Sequence, residues 1–505
     1  MRSAQGKFIF LSLIVLLALF AGSMVRQGLA GDQQIPAEQV TPGGLSSQSM
    51  AGGLYLPIIM RPIPQGEPTP SPTITPPPGS GALRINVPYF SSEIAFSETA
   101  VLWFGQVTPT ENNVDVRVGY TQDELFVHLA AIDRLLWYDD TPPIDLEAWD
   151  SASLFIKTDG NQGGAPVESA YRFVGSLNFW EDDLDYQAGY QGNGSGWVES
   201  DQPFTTQIGY RGNPNNDNRD SGWRLSYWIP FSSFGLESAP PQGTLWGLAV
   251  VLHDRDDAAG TSIPDQVWPP ALETDQPGTW GELVFGLPSY SPPGDQPDGS
   301  VTIRHGLNGS VVVDGGVGGG TNCGDGLDYF GEWGDTNYAA IDRVNVQNQY
   351  DVADWPCFSK IYVTFPLDKI PAGKNILNAT LTLHQFGNAG GGEYGEAPPS
   401  LIQVFRIGQD WQEDTLTWNN APLAIENVSQ TWVEWLAEYP GWPGLPRSWD
   451  LSRAVADAYS EGQPLRLAFY SADSERHSGK YFLTSDIDDD SVAGRPTLVV
   501  SWSDP

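Results

Sequence analysis

Cysteine, methionine, histidine and basic side chains are all scarce in this chain of 505 residues. The two cysteines, Cys323 and Cys357, form no CxxC spacing, and two thiols cannot by themselves complete a metal cage. The five histidines (His128, His253, His305, His384, His477) fall in no HExxH pattern. There is no GxSxG elbow and no P-loop, so nothing local supports a nucleophilic triad or a nucleotide site. His128 stands between apolar neighbours and reads as a sheet residue. Lys and Arg number 25 against 62 Asp and Glu, a formal charge of −37. That balance argues against nucleic acid and anionic lipid as partners. With so many acids, pairs of carboxylates arise everywhere, and their presence is no argument for glycoside hydrolysis. No enzyme activity is expected.

What the chain does have is aromatic residues, glycine, proline and short β patterns. Arg2 and Lys7 precede an apolar run from Phe8 to Val25, and small residues surround Gly28-Leu29-Ala30. This reads as a secretory signal over 1–30, against the alternative of a retained anchor. Cleavage after Ala30 removes Arg2, Lys7 and Arg26, so the mature charge becomes 22 − 62 = −40. Residues 31–81 are rich in Pro, Thr and Ser and read as a disordered, extended spacer. In an exported chain the lone cysteine pair reads as a disulfide. It closes a loop of about 34 residues and contributes roughly 3–4 kcal/mol.

From 82 to 286 the pattern is of strands: Val114–Tyr120, Leu125–Asp133, Ser153–Lys157, Trp223–Pro230 and Leu245–Leu252. Residues 287–300 form a Pro/Ser/Gly/Asp linker, and 301–505 form a second region of strands. The fold class expected is all-β, two antiparallel, jelly-roll-like β-sandwiches behind the signal and spacer. One helix is expected, Ser452 to Tyr459, with Ser452 as its cap. In the run Val404 to Pro422, one strand, a polar turn and a second short strand with Leu416 and Trp418 on one side are expected.

That run, Val404-Phe405-Arg406-Ile407 followed by Asp410-Trp411 and Thr415-Leu416-Thr417-Trp418-Asn419-Asn420-Ala421-Pro422, resembles the signature of DNRLRE domains. These disaggregatase-related modules are also known as carbohydrate-binding family 96. Phe365-Pro366-Leu367, Trp449-Asp450-Leu451-Ser452 and Arg495-Pro496-Thr497 follow the family's order. The first region resembles the DOMON and family 9 carbohydrate-binding superfamily. Tyr120, Leu125-Phe126-Val127, Asp133, Trp149-Asp150, Ile229-Pro230-Phe231, Trp246-Gly247, Trp268-Pro269 and Trp280-Gly281-Glu282 carry that likeness. Both resemblances imply secreted, noncatalytic β-sandwich modules. Some DOMON relatives bind haem, but Met1, Met24, Met50 and Met60 all precede the domain, so haem is not expected.

Sugar rings stack on aromatic faces while their hydroxyls bond to Asp, Asn or Gln. Aromatics in polar loops are therefore the candidate contacts: Trp137, Tyr138, Trp180, Tyr186, Tyr190 and Trp197 in the first region, Tyr329 and Trp333 inside the cysteine-closed loop. Trp411 and Trp418 are read as structural. No cofactor is required, though a structural calcium is a candidate in three oxygen-rich loops, Asn213–Asp220, Asp254–Asp257 and Asp486–Asp490. The function expected is a secreted protein, extracellular or on the cell surface, that binds neutral polysaccharide through two modules, gaining avidity from the pair. A structural matrix protein and, more remotely, a glycoside hydrolase are the alternatives.

Overall fold

The computed structural model describes residues 82–141, 143–178, 186–391 and 395–505. The signal and spacer readings lie outside these residues. Among the described residues no helix is long and apolar enough to cross a membrane.

Thirteen strands build the first sandwich: β1 (Arg84–Val87), β2 (Ala100–Gly105), β3 (Asn113–Tyr120), β4 (Glu124–Ile132), β5 (Ser151–Lys157), β6 (Ala170–Ser176), β7 (Gln187–Gly192), β8 (Trp197–Glu199), β9 (Thr205–Arg211), β10 (Gly222–Pro230), β11 (Leu245–His253), β12 (Gln266–Trp268) and β13 (Gly281–Phe285). The larger sheet runs β1-β13-β11-β5-β6-β7-β8, with β12 on β11, and the smaller runs β2-β3-β4-β10-β9. Pairing is antiparallel except for β1 on β13. Alternation sends Leu154 and Ile156 of β5, and Leu248 and Val250 of β11, into a core shared with Val116, Val127 and Leu225 of the smaller sheet.

The second sandwich comprises β14 (Gly299–Arg304), β15 (Val313–Gly318), β16 (Arg343–Val346), β17 (Ser359–Phe365), β18 (Asn375–Asn388), β19 (Ser400–Ile407), β20 (Ala424–Val433), β21 (Leu445–Asp450), β22 (Leu465–Ser471), β23 (Lys480–Leu483) and β24 (Thr497–Ser503). One sheet runs β14-β24-β18-β23-β16 with β21 on β18, the other β15-β17-β22-β19-β20. A helix, α1 (Ser452–Ser460), sits where the sequence places it, but Leu451 occupies the cap position and Ser452 is its first residue. Cys323 and Cys357 are disulfide-bonded. Thr415–Trp418 is not a strand. Asn420 takes the ladder bonds instead, accepting from Thr417 N–H (2.8 Å) and donating to the Thr415 carbonyl (2.7 Å). Leu416 and Trp418 do share one buried side, as the alternation requires.

The two sandwiches are fused face to face. Val101, Trp103, Ala130 and Ile132 from the outer face of the smaller first sheet join Tyr362, Phe405, Trp418 and Tyr470 in one apolar cluster. Polar groups cross with them. Tyr470 donates to Asp115 (2.6 Å), Gln403 donates to the Thr99 carbonyl (2.8 Å), and His128 Nε2 stands 2.8 Å from the Tyr350 carbonyl. Asn86 and Asn427 exchange bonds at the edge, 2.7 and 2.8 Å long. The molecule is therefore a stack of four β layers.

Lys360 lies buried in this interface, its ammonium 3.4 Å from the ring centre of Trp418 and 4.6 Å from those of Trp103 and Tyr470. Burial pushes its pKa down to about 7, against the pull of Asp115. A base lowered on folding leaves the native state with fewer protons than the unfolded chain between about pH 7 and its ordinary 10.5. Stability associated with this group therefore rises with pH across that window, by up to about 1.4 kcal/mol per pH unit. Urea unfolding from pH 7 to 10 is expected to show this rise in the wild type and a flatter profile in Lys360→Met. Parallel profiles would refute it.

Candidate functional site: the outer face of the larger first sheet

Alternation along β5 points Ser153, Phe155 and Lys157 away from the core. Register then aligns one row across the sheet: Ala249 opposite Phe155, Phe155 opposite Arg172, Arg172 opposite Tyr190, and Tyr190 opposite Glu199. Directly opposed residues share a face and touch. The Arg172 guanidinium lies 5.5 Å from the Phe155 ring and 5.1 Å from Tyr190. Burial lowers its pKa, opposed by Tyr190 and Asp275. Arg172 pairs with Glu147, which also accepts from Ser153 Oγ (2.7 Å). His253 joins them, with Nε2 3.2 Å from Glu147 and Nδ1 2.9 Å from Asp265. Arg172 Nε is buried without a hydrogen-bond partner.

Trp197 borders this network. Its ring lies parallel to buried Trp280 (6.3 Å, 6°) and 5.6 Å from Phe155, and its indole N–H donates to Asp275 (2.8 Å). Phe155 itself is buried (2% exposed), so the half-buried rings of Tyr190 and Trp197 are the ones that offer apolar planes beside these donors and acceptors. A pyranose, with its C–H faces and equatorial hydroxyls, is complementary to such a surface.

Of the aromatics expected at a site, the structure brings Tyr190 and Trp197 together here. Trp137 and Tyr186 are buried, 7% and 8% exposed, and do not offer the open faces expected of them. The Trp137 main-chain N–H donates to Asp150 (2.7 Å), and the Tyr186 hydroxyl donates to the Asp139 carbonyl (2.7 Å). Half-buried Tyr138 packs 6.3 Å from Tyr186 in the same loop cluster. Trp333 has no exposed surface: it sits between Trp355 (5.3 Å) and Trp418 (4.9 Å) in the interface cluster. Tyr329 is half-buried beside Trp355 and the Arg219 guanidinium. Trp180 lies outside the described residues. Glu147, Arg172 and His253 were not expected from sequence. The available signal was Arg172 itself, a lone charge inside the apolar strand Ala170-Tyr171-Arg172-Phe173-Val174.

A second cluster occupies one end of the same sandwich. Carboxylate oxygens of Asp133 (after β4), Asp254 and Asp256 (after β11) lie within 4.8 Å of one another. Asp133 and Asp254 are each only 1% exposed. Asp133 Oδ2 and both Asp254 oxygens have no hydrogen-bond partner. Asp150 adjoins them, accepting from the Trp137 and Arg255 main-chain N–H groups (2.7 and 2.9 Å). Burial, reinforced by the neighbouring carboxylates, pushes Asp133 and Asp150 well above the ordinary carboxylate range and raises Asp254 to about 7. An all-oxygen, anionic, desolvated set of this kind fits a calcium ion. The loop Asn213–Asp220 differs, because Asp220 is satisfied by Leu136 and Asn213 N–H groups (3.0 and 2.7 Å). In the Asp486–Asp490 loop, Asp489 is bound by Arg495 (2.9 Å).

Comparison with known proteins finds the second-region resemblance again. Residues 330–499 match the family model of carbohydrate-binding module family 96. Among solved structures, the chain is similar to a family 9 carbohydrate-binding module from Caldicellulosiruptor kristjanssonii in complex with cellotriose. Identity is 17%, coverage 41% of this chain and 95% of that one, and the TM-score 0.30. A family 9 module from the same organism, in complex with glucose, is 15% identical over 42% of this chain and 100% of that one, with a TM-score of 0.29. No curated protein matches the chain.

Proposed function

We propose that this is an exported, noncatalytic carbohydrate-binding protein whose Arg172 face takes a neutral polysaccharide, such as a plant cell-wall β-glucan or xylan. The match of residues 330–499 to a carbohydrate-binding family carries the assignment of function. The row Phe155-Arg172-Tyr190 with Trp197 at its border supports the location of a site. The preference for an uncharged glycan follows from the chain's charge of −37, which repels acidic polymers. A calcium ion held by Asp133, Asp254 and Asp256 would be structural, fixing the loops after β4 and β11. Around the Arg172 face, Glu147 and Asp265 would serve as hydroxyl acceptors, with Arg172 as donor.

Affinity gel electrophoresis of the full chain tests this, on hydroxyethylcellulose, xylan, pectin and alginate, with and without calcium. Retardation is expected on a neutral gel. Trp197→Ala and Tyr190→Ala are each expected to weaken it about tenfold, the loss of one stacking plane. Equal retardation of both variants and wild type would remove the Arg172 face. No retardation on any gel would overturn the function and favour a structural matrix protein.

A further inference from the structure

The second sandwich carries an exposed aromatic turn that the Arg172 face does not use. Between β20 and β21, Tyr439 is 54% exposed and Trp442 59%, with Leu445 at 39% close behind. These rings are not fraying ends. Gly441 and Gly444 adopt positive φ (80° and 93°), and the Gly444 N–H donates to the Gly441 carbonyl (2.8 Å), closing a tight turn. Arg447 ties the base down through Gln385 (2.8 Å) and the Glu434 carbonyl (3.1 Å). Asn388 accepts from the Leu436 N–H (2.7 Å). A Cβ at Gly444 would stand 2.7 Å from the Gln385 carbonyl oxygen and 3.5 Å from His384 Cβ, so the turn rests on the end of β18. The Tyr439 and Trp442 rings lie 6.2 Å apart at 79°, presenting two apolar planes at right angles.

Beside the turn lies the outer face of the β14-β24-β18-β21 sheet. Register aligns Thr302, Val499, Thr380 and Asp450 in one row, and Arg304, Thr497, Thr382 and Ser448 in the next. Leu381, Trp449, Leu498 and Ile303 alternate with these and point into the core, so the hydroxyl rows face outward.

We propose that this face is a second carbohydrate-binding surface, on which an uncharged polysaccharide chain stacks sugar rings on Tyr439 and Trp442 and lays hydroxyls along the threonine rows. The proposal rests on the carbohydrate reading above and extends it to a second set of residues. Three observations select this occupant. The two rows carry Thr302, Thr380, Thr382, Thr497 and Ser448 beside one exposed aliphatic side chain, Val499, unlike the broad apolar patch that a protein or lipid partner requires. Glu434, Glu438 and Asp450 outnumber Arg304 and Arg447 around the turn and rows, which disfavours an acidic polymer. The turn and most of the floor lie inside 330–499, the segment that matches a carbohydrate-binding family.

The layer order gives the proposal a geometric consequence. The smaller first sheet and the β15-β17-β22-β19-β20 sheet are sealed against each other. The Arg172 face and the Tyr439–Trp442 face are therefore the two ends of the stack, and they look away from each other. Filling both joins two separate chains, where two modules on a flexible linker would grip one chain twice.

The test uses the full chain, the pair Tyr439→Ala/Trp442→Ala, and the pair Tyr190→Ala/Trp197→Ala. Retardation is read on the neutral gel that holds the wild type, and viscosity in a dilute solution of the same polymer. The turn pair is expected to weaken retardation about tenfold and to abolish the viscosity rise that wild type produces. The face pair is expected to abolish the viscosity rise too. A turn pair that is retarded and raises viscosity like wild type overturns the second surface while leaving the first intact. Wild type that no gel retards overturns both. Tyr439 and Trp442 are solvent-facing, so circular dichroism and unfolding of the turn pair are expected to match wild type.

Discussion

Replacing Trp333 with alanine is expected to lower the free energy of unfolding by about 3–5 kcal/mol, the usual cost of truncating a fully buried tryptophan. The side chain has no exposed surface, its N–H donates to the Pro356 carbonyl (2.9 Å), and its ring contacts Trp355 and Trp418. Ring systems and the disulfide-closed loop line much of the site and limit how far it can collapse into the void. The effect is not confined to one sandwich. Trp418 also covers Lys360, which Trp103 covers from the first sandwich. Urea unfolding followed by tryptophan fluorescence and by far-ultraviolet circular dichroism is expected to give one coincident transition in wild type. In Trp333→Ala that whole transition moves to lower urea. Two transitions, with only one displaced, would show that the sandwiches unfold independently and that the interface contributes little. Trp442→Ala is the control, expected to change stability by less than about 0.5 kcal/mol.

The same interface explains what could be read from the sequence and what could not. The five strands expected in the first region are all present, because each is short, apolar on alternate positions and bounded by turn residues. The fusion of the two sandwiches left a weaker trace. Strand β4 reads Glu124-Leu125-Phe126-Val127-His128-Leu129-Ala130-Ala131-Ile132, nearly apolar throughout, and every residue after Glu124 is buried. A strand covered on one face alternates, whereas one covered on both faces does not. That continuity was the available signal. It was masked next door, where Asp115 and Arg117 give β3 the look of a strand with a wet face, although both are buried against the second sandwich. Pairing across an interface hides such charges, since their partners Tyr470 and the Asp473 carbonyl lie more than 350 positions away in sequence.

The candidate aromatics divide in the same way. Tyr190 and Trp197, beside Gly and Asn in the sequence, lie half-buried on strands β7 and β8 of the outer sheet. Trp333 had the same local look and proved to be core, because acidic neighbours such as Glu332 and Asp335 stay at the surface while the ring turns inward. Arg172 and His253 gain their meaning only from register, which sets Phe155 against Arg172 and carries β11 alongside β5. A single sequence offers no measure of register between strands joined by long loops.

Calcium removal is the second large effect expected. Asp254 keeps both carboxylate oxygens buried without a well-formed hydrogen bond, though Asn112 and Arg255 lie beside it, and Asp133 keeps one. An ionised carboxylate in that state is costly unless a cation lies within reach. The three carboxylates of the cluster, two of them buried, lie within 4.8 Å of one another and repel as well as desolvate. An ion bound there to the folded state alone stabilises it by about 2.7 kcal/mol at a concentration a hundred times its dissociation constant. Thermal unfolding of chelator-treated protein is therefore expected at lower temperature than that of protein refilled with calcium, and the gain should grow with the logarithm of calcium concentration. Asp254→Asn separates this from a general salt effect. The amide keeps the shape but removes one of the repelling charges and one anionic ligand. In chelator the variant is expected to be as stable as wild type or more so, and on adding calcium it should gain far less. If wild type and Asp254→Asn respond to calcium alike, the ion does not bind at this cluster. If neither responds, the buried acids are held protonated, and the raised value of about 7 at Asp254 describes their resting state.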